Sequence, residues 1–146
     1  MYRTVLAHGP HQREEVRRLD RILFSTDDAL DTSRGEHWLV WSAGVPVAFS
    51  SVKVLSNDPG TVWRLRSGVL KEHRGHGLQR RLIRASQLWT ADIGMKCLIG
   101  NTAAWNHYSA VNFFRCGFQM FDPHVRWMAG NTIYWRWFVG NPTHIR

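Results

Sequence analysis

The stretch Val69-Leu70-Lys71-Glu72-His73-Arg74-Gly75-His76-Gly77-Leu78-Gln79-Arg80-Arg81-Leu82-Ile83-Arg84 decides how this chain is read. An apolar run ends at Val69 and Leu70, a short charged loop follows, and two glycines stand one residue apart before a segment with apolar positions at helical spacing. Glycine lets a backbone come close to a ligand. A helix N-terminus adds unpaired N–H groups and the positive end of the helix dipole. A strand, a glycine turn and a basic helix in this order therefore suit an anion, with Lys71, Arg74, Arg80, Arg81 and Arg84 as the cations around it. Arg80 and Arg84 lie one helical turn apart and share a face. The blander reading, a solvated basic helix face, holds for any single arginine. It does not explain the second glycine, because a plain turn needs only one.

Working outward, TVWRLRSGV (61–69) alternates, with Trp63, Leu65 and Val69 expected on one face and Arg64 and Arg66 on the other. Gly68 within it marks a bulge or a close backbone approach. Before this strand stand the turn Asn57-Asp58-Pro59-Gly60 and a hairpin over 37–55 folded at Ala43-Gly44, with Pro46 near the turn. YRTVLA (2–7) reads as a strand ended by Gly9-Pro10, and Val16, Leu19, Ile22 and Leu23 place a helix over 11–24. Thr26 and Asp27 are suited to cap a further short helix over 26–33. Downstream, a helix of about 78–93, with Leu82, Leu88 and Trp89 among its apolar positions, stops at Gly94. MKCLIGN is then a strand, HYSAVNFFRC a helix ended by Gly117, and strands follow from Phe118 and over NTIYWRWFV. The order predicts one α/β domain over 1–146, a mixed sheet of six or seven strands with about four helices on its two faces.

Composition bounds the function. Hydrophobic residues make up 44% of the chain and charged residues 21%, as in an ordinary globular domain. The net charge of +8 points to an anionic partner, or simply to solubility. The two cysteines, Cys97 and Cys116, are too few for a disulfide framework or a cysteine zinc site, so no metal is expected and a reducing compartment fits. Neither a signal peptide nor a run of about 20 apolar residues is evident, so a cytoplasmic protein without membrane contact is expected.

The glycine turn is not a dinucleotide fingerprint, since Arg80 occupies the place of the third glycine, and no Gly-Lys-Ser/Thr ending makes it a nucleotide-triphosphate loop. It resembles motif A of the GNAT acetyltransferase superfamily, Arg/Gln-x-x-Gly-x-Gly/Ala after a strand ending in Val. Arg74 and Gly77 match, and Gln79 replaces the last Gly or Ala. A second block begins at Asn106: Ser109, Phe113, Gly117 and Phe118 stand three, seven, eleven and twelve positions on, as in the same superfamily. The turn Gly77-Leu78-Gln79 and the ending Tyr134-Trp135-Arg136 are similar to those of a subgroup of its members.

The resemblance implies a GNAT fold with a splay between the fourth and fifth strands, and acetyl-CoA as co-substrate. Its pyrophosphate would be held by main-chain N–H groups across Arg74, Gly75, His76, Gly77, Leu78, Gln79 and Arg80. Its thioester carbonyl would be held by an N–H near Val69 and Leu70, and Asn106, Ser109 and Phe113 would line the pantetheine arm. In many members a tyrosine at the place of Phe113 protonates the leaving thiolate, and a glutamate near the place of Asn101 serves as base. Neither side chain here can do that work. Asn101, Tyr108 and Ser109 are the replacements proposed for the chemistry, as water-orienting amide, proton donor and hydrogen-bonding hydroxyl. Glu36, His37, Glu72 and His73 are further candidate bases, and a cysteine relay is disfavoured.

The reading that results is transfer of an acetyl group to a primary amine by direct attack. The acceptor would be acidic if Arg64 and Arg66 are exposed. Two others stay open: an acyl-CoA-binding regulator without turnover, and a nucleic-acid-directed protein suggested by the charge and the eight tryptophans. Relatives of this superfamily often dimerise, so a homodimer is expected from the resemblance.

Overall fold

The computed structural model describes residues 1–140. The elements are β1 (Tyr2–Leu6), α1 (Gly9–Leu23), β2 (Glu36–Ser42), β3 (Val45–Val54), β4 (Thr61–Val69), α2 (Leu78–Asp92), β5 (Cys97–Ala103), α3 (His107–Arg115), β6 (Gln119–Phe121) and β7 (Thr132–Phe138), with a single 3-10 turn at Lys71–His73. They form one seven-stranded sheet in the order β1-β2-β3-β4-β5-β7-β6. All pairings are antiparallel except β4 with β5.

The hairpin turns at Ala43 and Gly44, both at positive φ (50° and 79°), as a two-residue turn with the twist of its strands requires. On one face of the sheet α1 sets Val16 and Leu19 against Leu39 and Phe49. On the other, α2 and α3 bring Leu78, Leu82, Ile83, Phe113 and Cys116 onto Val40, Ala48, Val52, Val62 and Leu98. Leu88, counted above with the apolar face of α2, is exposed.

Two expectations need correction. Residues 26–33 form turns and irregular backbone, so the described residues hold three α-helices instead of about four. Side chains there bond the backbone locally and compete with a helix: Asp31 accepts from Ser33 N and Oγ, and Asp20 accepts from Leu30 N.

The second correction concerns β4. Arg64 pairs with Val52 and Arg66 with Ser51, so Leu65 is a surplus residue in the ladder, a β-bulge. The bulge splits the two arginines. Arg64 goes to the α2/α3 face, where it is buried (6% exposed) and donates to Ser50 Oγ at 3.0 Å. Arg66 goes to the α1 face, where it pairs with Asp20 at 2.6 Å and lies over the Phe24 ring. Gly68 marks a close approach and not the bulge: a Cβ there would stand 2.7 Å from Leu23 Cδ1.

Candidate active site

The site begins where two strands part. β4 and β5 are paired only over Thr61–Trp63 and Cys97–Ile99. Beyond that, β4 continues beside β3 to Val69 while β5 continues beside β7 to Ala103. This is the expected splay.

Leu70 N donates to Val47 O at 2.9 Å, so the N–H near Val69 and Leu70 that was expected to face the gap is not that of Leu70. Antiparallel ladders alternate bonded and unbonded pairs. With Leu70 bonded to Val47, the main-chain groups of Val69 and Ser67 turn away from β3 and towards the gap. Consistently, Val69 O accepts from Arg74 Nε at 3.1 Å on that side.

Two cavities meet in the gap. One, of about 470 Å³, runs from Arg74, Gly75 and Leu78 past Val69 to Trp105, Asn106, Tyr108 and Ser109. The other, of about 660 Å³, is lined by Trp63, Arg64, Asn101 and Phe113, with Asp27, Asp28 and Asp31 at its exposed rim. Phe24, Ser67, Gln79, Asn106 and Ser109 border both. A third hollow of about 400 Å³ lies outside the turn, against Gly75, Gly77, Arg80, His107 and Arg115.

The glycine turn is built as a cradle. Gly75 and Gly77 both have left-handed φ (+83° and +75°), which L side chains rarely adopt, and Gly77 is the N-cap of α2. No side chain caps α2, which leaves its first N–H groups open. His76 points elsewhere: its ring packs on Tyr2, so only its main chain faces the cradle side. Arg74 borders the first cavity and Arg80 the third. Arg80 also shares a groove with Gly77, Arg81 and Arg84 on the other side of α2, where Arg81 donates to Tyr2 O, so Arg74 stands apart from the rest of the basic cluster.

Gln79, which departs from the motif, is tied into the site. Its Nε2 donates to Ser109 Oγ at 2.9 Å, and its Oε1 accepts from Asn112 Nδ2 at 2.7 Å. Asn106 caps α3 by accepting from Ser109 N at 3.2 Å. Ser109 thus sits at the junction with its hydroxyl oxygen already accepting, and its proton free to donate.

Asn101 borders the second cavity and accepts from Trp127 Nε1 at 2.9 Å through Oδ1, leaving its NH2 as the group with work to do. Tyr108 borders the first and third cavities and is more than half exposed. Phe113 is buried between Trp135, stacked at 5.8 Å, and Phe118, edge-on at 4.9 Å. It borders the second cavity and not the channel expected for the pantetheine arm.

The further candidate bases do not gather here. His37 is buried, with ring contacts to Ser51 Oγ at 2.6 Å and Arg34 O at 3.0 Å, and burial pushes its pKa down. His73 borders the first cavity but is bonded to Tyr2 OH at 3.0 Å, and Glu36 and Glu72 border neither cavity of the gap. Cys97 and Cys116 are both buried, and burial raises the Cys116 thiol, which disfavours it as a nucleophile. Ser67 and Phe24, which border both cavities, carry no sequence signal; Trp105, next to the cap Asn106, had one in its position.

Among the described residues no group of three or more His, Cys, Asp or Glu side chains could hold a metal, and no helix is long and apolar enough to cross a membrane. No curated protein matches the sequence. Solved structures match over nearly the whole chain. NAA60 of Arabidopsis thaliana in complex with acetyl-CoA is 13% identical with a TM-score of 0.77, covering 97% of this chain and 100% of that one. An IAA acetyltransferase from Bacillus cereus is 16% identical with a TM-score of 0.74, covering 93% and 99%. The ribosomal-protein-S18-alanine N-acetyltransferase of Escherichia coli is 12% identical with a TM-score of 0.74, covering 95% and 94%. At such identities the likeness shows the fold alone. The sequence itself goes further, because the model of the acetyltransferase (GNAT) family matches residues 4–118, from β1 through the glycine turn and the Asn106 block, and the chain belongs to that family.

Proposed function

We propose that this protein moves an acetyl group from acetyl-CoA to a primary amine by direct attack within a ternary complex. The observation that carries this reading is the meeting of two cavities at Ser67, Gln79, Asn106 and Ser109. A donor entering along the glycine turn and an acceptor entering past Trp63 and Asn101 can touch there, with no need for an acyl-protein intermediate. Phosphates of the donor lie on the open N-terminus of α2, beside Arg74 and Arg80.

The reaction then follows from the groups at the junction. Val69 N–H polarises the thioester carbonyl. The neutral amine attacks the carbonyl carbon, the C–S bond breaks, and the amine's surplus proton passes to water. Ser109 O–H donates a hydrogen bond to the departing sulfur, Tyr108 on the channel wall supplies or relays its proton, and the Asn101 NH2 orients the acceptor or its water. Holding the two reactants in place accounts for much of the rate.

The test is calorimetric binding of acetyl-CoA followed by thiol release against a panel of amines, with product mass as confirmation. Saturable binding with amine-dependent release is expected. Binding without release for any amine would assign the chain to acyl-CoA-dependent regulation, and no binding would refute the reading.

A further inference from the structure

Arg64 is a buried cation with nothing to neutralise it. It is 6% exposed, Ser50 Oγ is its hydrogen-bond partner, and its buried Nε has none. Among the described residues no carboxylate pairs with it; Asp20, the buried acid of this region, is held by Arg66. The Phe113 ring lies 5.3 Å from the guanidinium carbon. Such a charge is costly to bury unless something pairs with it, and burial lowers its pKa to about 10. Arg64 also borders the second cavity. Trp63, the next residue, borders it as well and leaves a buried indole N–H unpaired. The cavity is therefore bordered by a guanidinium that no carboxylate neutralises, and its aspartates stand at the rim.

The ladder fixes where this charge lies. Ser50, which the guanidinium touches, is directly opposite Ser67, the residue shared by the two cavities. Side chains so paired stand about 5 Å apart. The guanidinium is thus within one small molecule's length of the point where the acetyl group would be handed over.

We infer that Arg64 is the carboxylate-binding subsite for the acceptor, and that the acceptor is a free amino acid or a similarly short amino carboxylate. The inference rests on the transfer reading above and narrows its substrate. A carboxylate paired in fork fashion with Arg64 sets an amine two or three bonds away at the junction. A peptide N-terminus has an amide in that place and leaves the charge unanswered.

The experiment compares the standard amino acids with their amides as acceptors, and N-acetyl amino acids with their methyl esters as ligands. The first arm reads kcat/KM; the second reads calorimetric Kd and the shift of the Arg64 Nε resonance in nitrogen-labelled protein. At least tenfold preference for the free acid is expected in both arms. Arg64→Met should lose that preference, with the values for free acids falling to the level of amides and esters, and Arg64→Lys should keep part of it. Equal use of acids and amides, preference surviving in Arg64→Met, or no binding of any N-acetyl amino acid would each overturn the inference. So would an equal fall for acids and amides in Arg64→Met, which would place the charge on the reacting atoms instead. Failure of acetyl-CoA to bind would sink the transfer reading separately, since the ligand arm needs no donor.

Discussion

Replacing Gln79 by alanine tests how the site is braced. The side chain joins the first turn of α2 to α3 through two hydrogen bonds, to Ser109 at 2.9 Å and from Asn112 at 2.7 Å. Each bond is worth about 1 kcal/mol net. Asn112 is buried and would be left with an unpaired N–H, but Gln79 borders both cavities, so water takes up part of the loss. The expected cost is roughly 2 kcal/mol, or a fall in Tm of about 6–8 °C for a domain of this size. Denaturant unfolding of Gln79→Ala, Asn112→Ala and the double variant gives the coupling directly, expected near 1 kcal/mol. Gln79→Glu keeps an acceptor for Asn112, and Ser109 can rotate to donate, so it should lose less than half as much. A Tm within about 2 °C of the parent, or strictly additive single effects, would show that the bridge does not hold the two helices.

Other outcomes follow from the same geometry. Gly77→Val forces a β-branched residue to φ +75° with its Cβ 2.9 Å from Arg80 Nη2, and should weaken acetyl-CoA binding at least tenfold by calorimetry in a folded protein; unchanged affinity would remove the cradle. Gly100→Ala presses a methyl to 3.2 Å from a Phe113 ring already pinned by Trp135 and Phe118, and should cost about 1–3 kcal/mol in chemical unfolding. His37 has a folded pKa below its ordinary 6.5, so the unfolded chain binds more protons as pH falls through that value and stability drops. Unfolding midpoints measured from about pH 5 to 8 should therefore slope less in His37→Gln than in the parent, and identical slopes would clear His37 of that role.

The glycine turn, the Asn106 block and the strand order were legible because each is written in contiguous residues: φ freedom at Gly75 and Gly77, fixed spacings from Asn106 to Phe118, and apolar runs of strand length. What was hidden depends on partners far along the chain. Nothing near Gln79 announces that Ser109 and Asn112 will meet it, and Asn101 is engaged by a tryptophan from the loop before β7. The helix over 26–33 failed because good capping residues also make good turns, and only tertiary contacts, here Asp20 with Leu30 N, decide between them. The faces of Arg64 and Arg66 were misjudged for a different reason: a two-residue period cannot reveal which member of a strand is surplus.

That surplus residue has a consequence for how such a site can arise or be lost. Removing Leu65 would leave Arg64 and Arg66 on their adjacent rungs opposite Val52 and Ser51, and every other side chain of β4 would keep its face. What would vanish is the local bend at Leu65, two residues after the last rung shared with β5. A straightened strand would run on beside its neighbour and close the wedge. The opening is thus encoded as a count and not as a chemistry: a single-codon deletion could erase it with all the reactive residues still present, and no substitution at any of them would bring it back.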